Sequence, residues 1–573
     1  MRRLCMLISI LCFQHAYGQN LEKIGKEDMV QVSGGVRSNF VFNHTLNQEQ
    51  FRDPLSWVFS GNLTVTIADL ALPFTFSYSN TGRSFTQPFN MTAVHPTYKK
   101  WKSHIGITSM SFSPYTYSGI NFTGAGLEYT PDKWAFKAFG GRLKKAIEFD
   151  SDANNINTVS YSRMGFGFGT EYKGKTFGTE LLLFKAYDNP GSLDFYHNNP
   201  ELTAKDNMVI SLKGNASLFK VLRLNAEIAS SILTRDILAD QSSNAAFLGG
   251  LVQGNRTTTT SQAYNASLDY RYKTYGVGVK YERIAPDYTT LGAVYFNNDL
   301  ENITVNPSFS LFKNKVNLSM STGYQRNNLN AQNASESKRW IGNASLSAQL
   351  IKGMSLSLNY SNMSSFSRRN PLADPFYTPL GDTLNYYQTS VNLSSSLSYS
   401  FGEKIKQAMS ATASYSQSQN ITGRLEDAAA FGFNIEQNDS EVPVDVYTGM
   451  FSHSIQLPEG KGAIGWMVNA NYTDVLGSTN LFVGPGLNGS TSVNDKKLSI
   501  NLGANYNSQF TNEELSNHVL NFRTGLSYKP DFLDKKYGTL SMNLNGNWTN
   551  RFSVTSAPNT QNITIIVNLA YQF

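Results

Sequence analysis

Apolar and polar residues alternate with a period of two along most of this chain. Residues 562–573 show the pattern clearly, with apolar side chains at Ile563, Ile565, Val567, Leu569, Tyr571 and Phe573. The same alternation recurs at residues 266–272, 316–324, 354–360, 464–472, 498–506, 520–528 and 540–548. Because successive side chains of a β-strand point to opposite faces, each segment predicts a strand with one apolar face.

The second face of these strands is polar and consists mainly of Ser, Asn, Gly and Thr, which suits a wet interior better than a packed second sheet. The apolar face often ends in an aromatic residue, as at Tyr324, Tyr360, Tyr472, Tyr506, Tyr528 and Trp548. Tyr and Trp at the ends of an apolar band are typical of a membrane interface. Since a sheet survives in lipid only when it is closed, the pattern predicts an all-β fold, a transmembrane antiparallel β-barrel.

Connections between the predicted strands alternate between short and long. The short ones include residues 172–175, 273–276 and 494–497, and the long ones include residues 187–207, 235–260 and 417–443. Bacterial outer-membrane barrels have short periplasmic turns and longer exterior loops. Counting on this basis gives about 24 strands, with a range of roughly 22–26. We therefore expect a single barrel domain over residues 19–573.

Two segments break the rhythm. Residues 82–118 contain Pro88, Pro96 and Pro114, and proline is poorly tolerated inside a sheet. This segment either folds into the lumen as an insert or adds one irregular strand pair to the wall, and the prolines favour the insert. Residues 235–255 predict a short helix in an exterior loop, or alternatively a loop folded inward.

The first eighteen residues have the form of a secretory signal peptide. Arg2 and Arg3 precede an apolar run that is too short to span a membrane, and Ala16 and Gly18 form a small-residue cleavage site. Cleavage near Gly18 removes both cysteines of the chain, so the exported protein would have no disulfide framework. Together with the predicted barrel, this indicates the outer membrane of a Gram-negative bacterium.

Composition agrees with a barrel in lipid. Charged residues make up 16% of the chain, against about 25% in soluble domains, while there are 30 tyrosines and 36 phenylalanines. A secreted soluble β protein would expose these aromatic-ended apolar faces as large patches, which argues against that class. The formal net charge of +6 has no concentrated basic block, so nucleic acid is not expected as a partner.

The N-terminal part of the chain resembles a known group of proteins. The stretches that show it are "SGGV" (33–36), "PFTFSYSN" (73–80), "SFTQPFN" (84–90), "HPTYK" (95–99), "FSPYTYSG" (112–119), "GAGLEYTP" (124–131) and "RMGFGFGTEY" (163–172). They resemble uncharacterised outer-membrane β-barrel proteins of Bacteroidota, over about residues 20–235. The resemblance implies fold and location, and it brings no catalytic or binding residues with it.

Motifs that would carry catalysis or bind a metal are missing from the sequence. The histidines do not form H-E-x-x-H or another ligand spacing, and no G-x-S-x-G elbow or phosphate-binding glycine motif occurs. Residues 150–155 begin like a calcium loop but lack its glycine and its bidentate glutamate. We therefore predict no enzyme activity, no cofactor and no metal.

Basic residues cluster in or beside residues 82–118. Arg83, Lys99, Lys100 and Lys102 lie in the irregular segment, and Arg142, Lys144 and Lys145 follow it. The first four would form a positive constriction that favours anionic solutes, because rings of charge set pore selectivity. The alternative is that they are solvated loop and rim charges, the ordinary position of Lys and Arg.

Two functions fit the predicted barrel. The first is a channel or translocation barrel with a partly plugged lumen, because about 24 strands enclose more space than the 16–18-stranded porins. The second is a non-conducting barrel that binds a partner protein for export, assembly or surface anchoring through its long exterior loops. The sequence names neither the solute nor the partner.

The C-terminal strand carries the remaining predictions. Its ending resembles the signal by which the barrel-assembly machinery recognises its clients, with Leu569, Tyr571 and Phe573 as the characteristic residues. These side chains should contact outer-membrane lipid. The strand should also pair with the first strand, near residues 29–44, because closure removes both sheet edges.

Overall fold

The computed structural model describes most of the chain after the predicted signal peptide. The described residues are 30–47, 53–80, 90–148, 159–193, 202–247, 252–293, 298–330, 338–367, 386–403, 405–422, 442–458, 461–475, 478–495, 497–530, 538–554 and 558–573. The predicted signal peptide at residues 1–18, its cleavage site and Arg83 lie outside this part of the chain.

The described residues form 29 β-strands and one short 3-10 helix, Pro190–Ser192. The strands are β1 (Val30–Leu46), β2 (Leu55–Ile67), β3 (Leu70–Ser79), β4 (Met91–Val94), β5 (Thr97–Tyr98), β6 (Trp101–Thr108), β7 (Phe122–Tyr129), β8 (Trp134–Lys144), β9 (Ser162–Lys173), β10 (Phe177–Asn189), β11 (Asp206–Leu218), β12 (Leu222–Thr234), β13 (Gln241–Phe247), β14 (Val252–Asn255), β15 (Thr258–Tyr272), β16 (Tyr275–Ile284), β17 (Leu300–Leu311), β18 (Val316–Arg326), β19 (Lys338–Ile351), β20 (Met354–Ser367), β21 (Tyr386–Phe401), β22 (Gln407–Thr422), β23 (Val442–Gln456), β24 (Gly462–Val475), β25 (Ser478–Val493), β26 (Leu498–Thr511), β27 (Glu514–Tyr528), β28 (Thr539–Ser553) and β29 (Thr560–Gln572).

All of these strands except β13 and β14 belong to one antiparallel sheet that closes on itself. β4 and β5 each pair with both β3 and β6, so they are successive pieces of one position in the wall. The wall therefore has 26 strand positions. The predicted closed antiparallel barrel is confirmed, and 26 lies at the upper end of the predicted range.

The seam of the barrel joins the last strand to the first. β29 pairs with β1 over twelve partners, from Gly35 opposite Gln572 to Leu46 opposite Gln561. Phe573 adds two backbone hydrogen bonds with Gly34, each 3.0 Å long. The predicted pairing of the C-terminal strand with the first strand is confirmed, and it leaves neither strand with an open edge.

The two faces of the wall differ in the way the sequence pattern predicts. On β16, Val277 and Val279 are 43% and 46% exposed and point outward, whereas Gly276 and Gly278 are buried on the other face. On β26, Leu502 is exposed on the outer face, and Asn501 and Gly503 lie on the inner one. Exposed apolar side chains on alternate positions thus cover the outside of a closed sheet.

The described residues of the irregular segment 82–118 begin at residue 90 and divide into two parts, each of which matches one of the two sequence interpretations. Residues 91–108 belong to the wall as β4, β5 and β6, with Pro96 at the break between β4 and β5. Residues 109–121, including Pro114, leave the wall and fold into the barrel. Among the described residues of this segment, only the part from residue 109 onward matches the predicted lumenal insert, and the irregular strand pair raises the strand number above the predicted 24.

The loop at residues 235–255 is not helical where it is described. Its two ends form the hairpin β13–β14, in which Gln241 pairs with Asn255 and Phe247 pairs with Val252. Asn255 anchors the hairpin by donating to the backbone oxygen of Asp236 over 2.6 Å. The predicted short helix is wrong, because backbone pairing between the two arms satisfies the groups that a helix would have paired internally.

Candidate functional site

Two connections at the long-loop end of the wall fold into the barrel and contact each other. The first inner loop, residues 109–121, joins β6 to β7, and the second inner loop, residues 285–293, follows β16. The amide of Ser118 donates to the carbonyl of Gly292 over 2.9 Å. The hydroxyl of Tyr288 donates to the carbonyl of Tyr115 over 2.8 Å. The two loops therefore form one inner layer.

An aromatic cluster attaches this inner layer to the wall. Tyr117 has no exposed surface, and its ring centroid lies 4.4 Å from that of Phe139 on β8 and 5.6 Å from that of Phe184 on β10. Phe112 lies 5.5 Å from Phe139. Burying each such ring contributes about 1.5–3 kcal/mol, so the cluster alone favours a docked inner layer.

Glycines on the inner face of β9 make room for these rings. A Cβ at Gly167 would lie 2.3 Å from the Phe139 ring and 3.0 Å from the Phe112 ring. A Cβ at Gly165 would lie 2.4 Å from Leu143. The small residues of "GFGFG" at 165–169 thus serve packing, with Phe166 and Phe168 exposed on the opposite face.

Two carboxylates of the wall accept hydrogen bonds from hydroxyl groups of the first inner loop. The Tyr115 hydroxyl donates to Glu282 on β16 over 2.7 Å. The Ser113 hydroxyl donates to Glu227 on β12, which also accepts from Ser211 over 2.7 Å. Burial, together with the hydrogen bond to Glu282, raises the pKa of Tyr115 well above that of a free phenol. The phenol therefore stays neutral and acts as a donor at physiological pH.

Two lysines of the wall hold the backbone of the same loop. Lys137 on β8 donates to the carbonyl of Ser111 over 3.1 Å, and Lys213 on β11 donates to the carbonyl of Phe112 over 2.9 Å. Both ammonium groups also pair with Glu180 on β10, at 2.7 Å and 3.1 Å. One carboxylate between two lysines keeps both cations directed at the loop.

A buried amide fixes the second inner loop. Asn207 on β11 donates to the hydroxyl of Ser231 over 2.8 Å and to the carbonyl of Ile232 over 3.0 Å. Its side-chain oxygen accepts a hydrogen bond from the backbone amide of Leu291 over 3.0 Å. The Ser231 hydroxyl donates to the carbonyl of Thr289 over 2.6 Å. These contacts satisfy polar groups that would otherwise be costly to bury.

The other side of the lumen has a different lining. Among the described residues, the apolar core around the inner layer contains none after Leu300. The inner faces of β19–β29 are rich in Ser, Asn and Thr, which bond to one another. Examples are Ser355 with Ser398 at 2.7 Å, Ser410 with Ser452 at 2.7 Å, and Thr549 donating to Asn521 at 2.7 Å. Hydroxyl and amide groups therefore face the space that the inner layer leaves.

A cavity lies against this polar lining. It has a volume of about 540 Å³ and is bounded on β26–β29 by Asn501, Arg523, Asn545, Asn547 and Thr564, among others. Arg523 is the only charged residue among the residues that line this cavity. A guanidinium surrounded by amides and hydroxyls can hydrogen-bond a hydrophilic solute at several points.

The three described residues of the predicted constriction, Lys99, Lys100 and Lys102, lie near the short-turn end of the wall. Lys99 and Lys100 occupy the turn between β5 and β6, and Lys100 donates to Asp132 in the next turn over 2.6 Å. This hydrogen bond lowers the pKa of the Asp132 carboxyl. Lys102 lies on the inner face, 3.8 Å from Glu128. A positive constriction formed with Arg83 stays a prediction.

The residues of the predicted assembly signal lie on the outer face at the seam. Leu569 is opposite Ser38 of β1 and Met542 of β28, and the rings of Tyr571 and Phe573 are 5.5 Å apart. They contribute to the apolar exterior. Their recognition by assembly machinery stays a prediction.

The sequence interpretation missed the residues that hold the inner layer: Lys137, Glu180, Asn207, Lys213, Glu227 and Glu282. A signal for them was present, since most are charged residues at positions where other strands carry Ser, Asn or Gly. In the described part of the chain, no group of three or more His, Cys, Asp or Glu side chains is arranged to hold a metal ion. No helix within the described ranges is long and apolar enough to cross a membrane.

The fold and its interior define a class: a 26-stranded antiparallel β-barrel with an apolar exterior and a lumen partly filled by its own loops. No protein-family model and no curated protein sequence matches the chain.

The solved structures that match the chain include three barrels that are distant from it in sequence. The ferric enterobactin receptor PfeA from Pseudomonas aeruginosa is 11% identical, with 94% of this chain and 80% of that chain covered and a TM-score of 0.40. The copper transporter OprC is 10% identical, with coverage of 95% and 81% and a TM-score of 0.39. The P pilus usher PapC translocation pore is 11% identical, with coverage of 94% and 98% and a TM-score of 0.34.

Proposed function

We propose that the protein is an outer-membrane translocation barrel that moves a hydrophilic cargo along the polar side of its lumen. The outward-facing apolar side chains support the membrane location. Closure of the sheet supports it as well, because a closed sheet satisfies all of its ladder hydrogen bonds in lipid. The proposed route to this membrane uses the signal peptide at residues 1–18 and C-terminal recognition through Leu569, Tyr571 and Phe573.

The uneven filling of the lumen is the observation that carries this proposal. The inner layer packs on the inner faces of the strands from β7 to β16, whereas the inner faces of β19–β29 carry mainly hydroxyl and amide groups. Barrels of 16–18 strands already enclose an aqueous channel, and this wall has 26. The polar side thus lines the lumen beside the described inner layer with hydrophilic groups.

Conductance across planar bilayers tests the proposal. Thr108 and Phe122 are directly paired, so the first inner loop at residues 109–121 can be replaced by a short Gly-Ser turn without moving the wall. We expect discrete conductance from the unaltered protein and at least a twofold rise after the replacement. The rise follows because the aromatic cluster and the contacts of the second inner loop are lost together.

A loop of equal length provides the control. Gln241 and Asn255 are paired, so residues 242–254 can be replaced by the same Gly-Ser turn. This hairpin contributes no residue to the described core around Tyr117, and we expect its removal to leave the conductance within about 20% of the original value, because the polar lining is untouched. Negligible conductance from both the unaltered protein and the variant without the inner loop would exclude a translocation barrel.

A further inference from the structure

A row of charged residues crosses four adjacent strands on the outer face, next to the long exterior loops. Arg283 at the end of β16 is opposite Glu301 of β17, Glu301 is opposite Arg326 of β18, and Arg326 is opposite Lys338 of β19. These positions alternate with the outward Val277 and Val279 and with the outward Ile303 and Val305, so the four charged residues share the exterior surface. We call them the basic row.

Glu301 organises the two arginines of the basic row. Its carboxylate forms ion pairs with the Nε of Arg326 and, at 3.7 Å, with the guanidinium of Arg283. It also accepts a hydrogen bond from the hydroxyl of Tyr281 over 2.8 Å. The side chains of Arg283 and Arg326 remain 42% and 43% exposed despite these contacts. With Lys338, the row contains three cations and one anion on neighbouring strands.

Aromatic residues lie directly below the basic row, toward the middle of the apolar band. Tyr281 is opposite Ile303, Ile303 is opposite Tyr324, and Tyr324 is opposite Trp340. The aromatic residues of this line are therefore Tyr281, Tyr324 and Trp340, and Trp340 is 70% exposed. Tyr and Trp side chains concentrate where acyl chains meet headgroups. The cations therefore lie at headgroup level, and the aromatic residues lie at the acyl boundary.

We propose that the basic row binds the phosphate of a phosphorylated glycolipid headgroup in the outer leaflet. Guanidinium groups form paired hydrogen bonds with phosphate, and neighbouring strands about 4.8 Å apart place several cations within reach of one or two phosphates. The aromatic residues below would contact the acyl chains of the same lipid. This proposal rests on the outer-membrane location proposed above.

A second part of the exterior, a few strands further round the wall, argues for a local site. Asp445 of β23 is directly opposite Asp474 of β24 on the outer face, also at the long-loop end, and Tyr447 and Tyr472 lie below them. That surface has the same aromatic boundary but carries acidic groups, which repel phosphate. The exterior thus has one side suited to an anionic headgroup and one side that is not.

Native mass spectrometry of the purified protein in detergent tests this site with synthetic bisphosphorylated lipid A. We expect the unaltered protein to retain this lipid at least tenfold more tightly than the dephosphorylated lipid. This comparison needs no variant. Equal retention of the two lipids, or displacement of the lipid by an equal concentration of inorganic phosphate, would overturn the proposal.

A triple variant, Arg283→Gln, Arg326→Gln and Lys338→Gln, should lose at least tenfold in affinity for the bisphosphorylated lipid. The matched control is Arg551→Gln, at the same end of the barrel but on the inner face, and its affinity should not change. If the triple variant fails the heat-modifiable gel shift of a folded barrel, Lys338→Glu alone replaces it, with an expected loss of at least threefold. A folded variant that binds as the unaltered protein does would contradict the assignment.

Lipid binding and conductance are measured separately, so their failures can be told apart. A conducting barrel that does not distinguish the two lipids leaves the proposed function intact and removes the lipid site. A barrel that selects the phosphorylated lipid but never conducts keeps the lipid site and removes the translocation function.

Discussion

The inner faces of β7–β16 and of β19–β29 belong to the same closed sheet but meet different surroundings. On the first, aromatic rings, glycines and charged side chains are matched to two inner loops. On the second, Ser, Asn and Thr bond to one another across the strands. The same alternating pattern therefore supports a packed interior in one region and a hydrophilic lining in the other, depending on which residues fill the inward positions.

The largest expected effect comes from removing the central ring of the packed region. Tyr117→Ala should destabilise docking of the first inner loop by about 3–5 kcal/mol, because a fully buried aromatic side chain is lost. We expect faster proteolytic cleavage within residues 109–121 while the barrel keeps its heat-modifiable mobility.

Phe482→Ala is the matched control, because Phe482 is an aromatic residue on the inner face of the polar region. Cleavage within residues 109–121 should not change in this variant. Equal protection of the loop in Tyr117→Ala and in the unaltered protein would mean that the aromatic cluster does not hold it.

A pair of glycine substitutions compares the two regions directly. Gly167→Val places a side chain against the Phe139 and Phe112 rings and should weaken the inner layer by about 1–3 kcal/mol. At Gly503, the nearest atom to an added Cβ is 3.7 Å away, so Gly503→Val should change stability by less than about 0.5 kcal/mol. Thermal midpoints from the gel-mobility shift and proteolysis of residues 109–121 provide the measurements. Similar effects at both sites would contradict the distinction between the regions.

An effect of similar size is expected from the hydrogen bond between Tyr115 and Glu282. Tyr115→Phe should weaken docking of the first inner loop by about 1.5–3 kcal/mol at most, because one partner of the bond is charged. The Ser410→Ala control removes a hydroxyl from the polar region and should cost less than about 1 kcal/mol.

The raised pKa of Tyr115 also gives a pH dependence. A phenol whose pKa is higher in the docked state contributes stability that is fully present below the free value of about 10 and is lost as the pH rises through the docked value. Protease sensitivity of residues 109–121 should therefore be constant near neutrality and rise above about pH 10. Tyr115→Phe should reduce that rise, and an identical alkaline profile in the variant would show that other groups cause it.

Much of the wall could be predicted from the sequence because strand alternation is a local signal. The C-terminal strand and its pairing with β1 are examples, since Ile563 to Phe573 alternate without a break and an unpaired edge is unfavourable. β4 and β5 were harder to predict because they are short and Pro96 separates them. The strand number was underestimated at this place.

The inner layer was only partly predictable for a different reason. Pro114 marked the segment as irregular, but the partners of the first inner loop are far away in sequence. Tyr115 bonds to Glu282, and Ser113 bonds to Glu227, so each contact joins positions more than a hundred residues apart. A single-sequence pattern contains no information about such pairs until the barrel brings the strands together.

Lys137 and Lys213 contact the carbonyl oxygens of Ser111 and Phe112, which every amino acid possesses. These two contacts would survive almost any change of side chain at the exposed position 111. Specificity for the loop instead depends on Phe112, Ser113, Tyr115 and Tyr117. Over evolutionary time, position 111 is therefore free to vary while its anchoring persists, and sequence divergence there would not indicate a change of architecture.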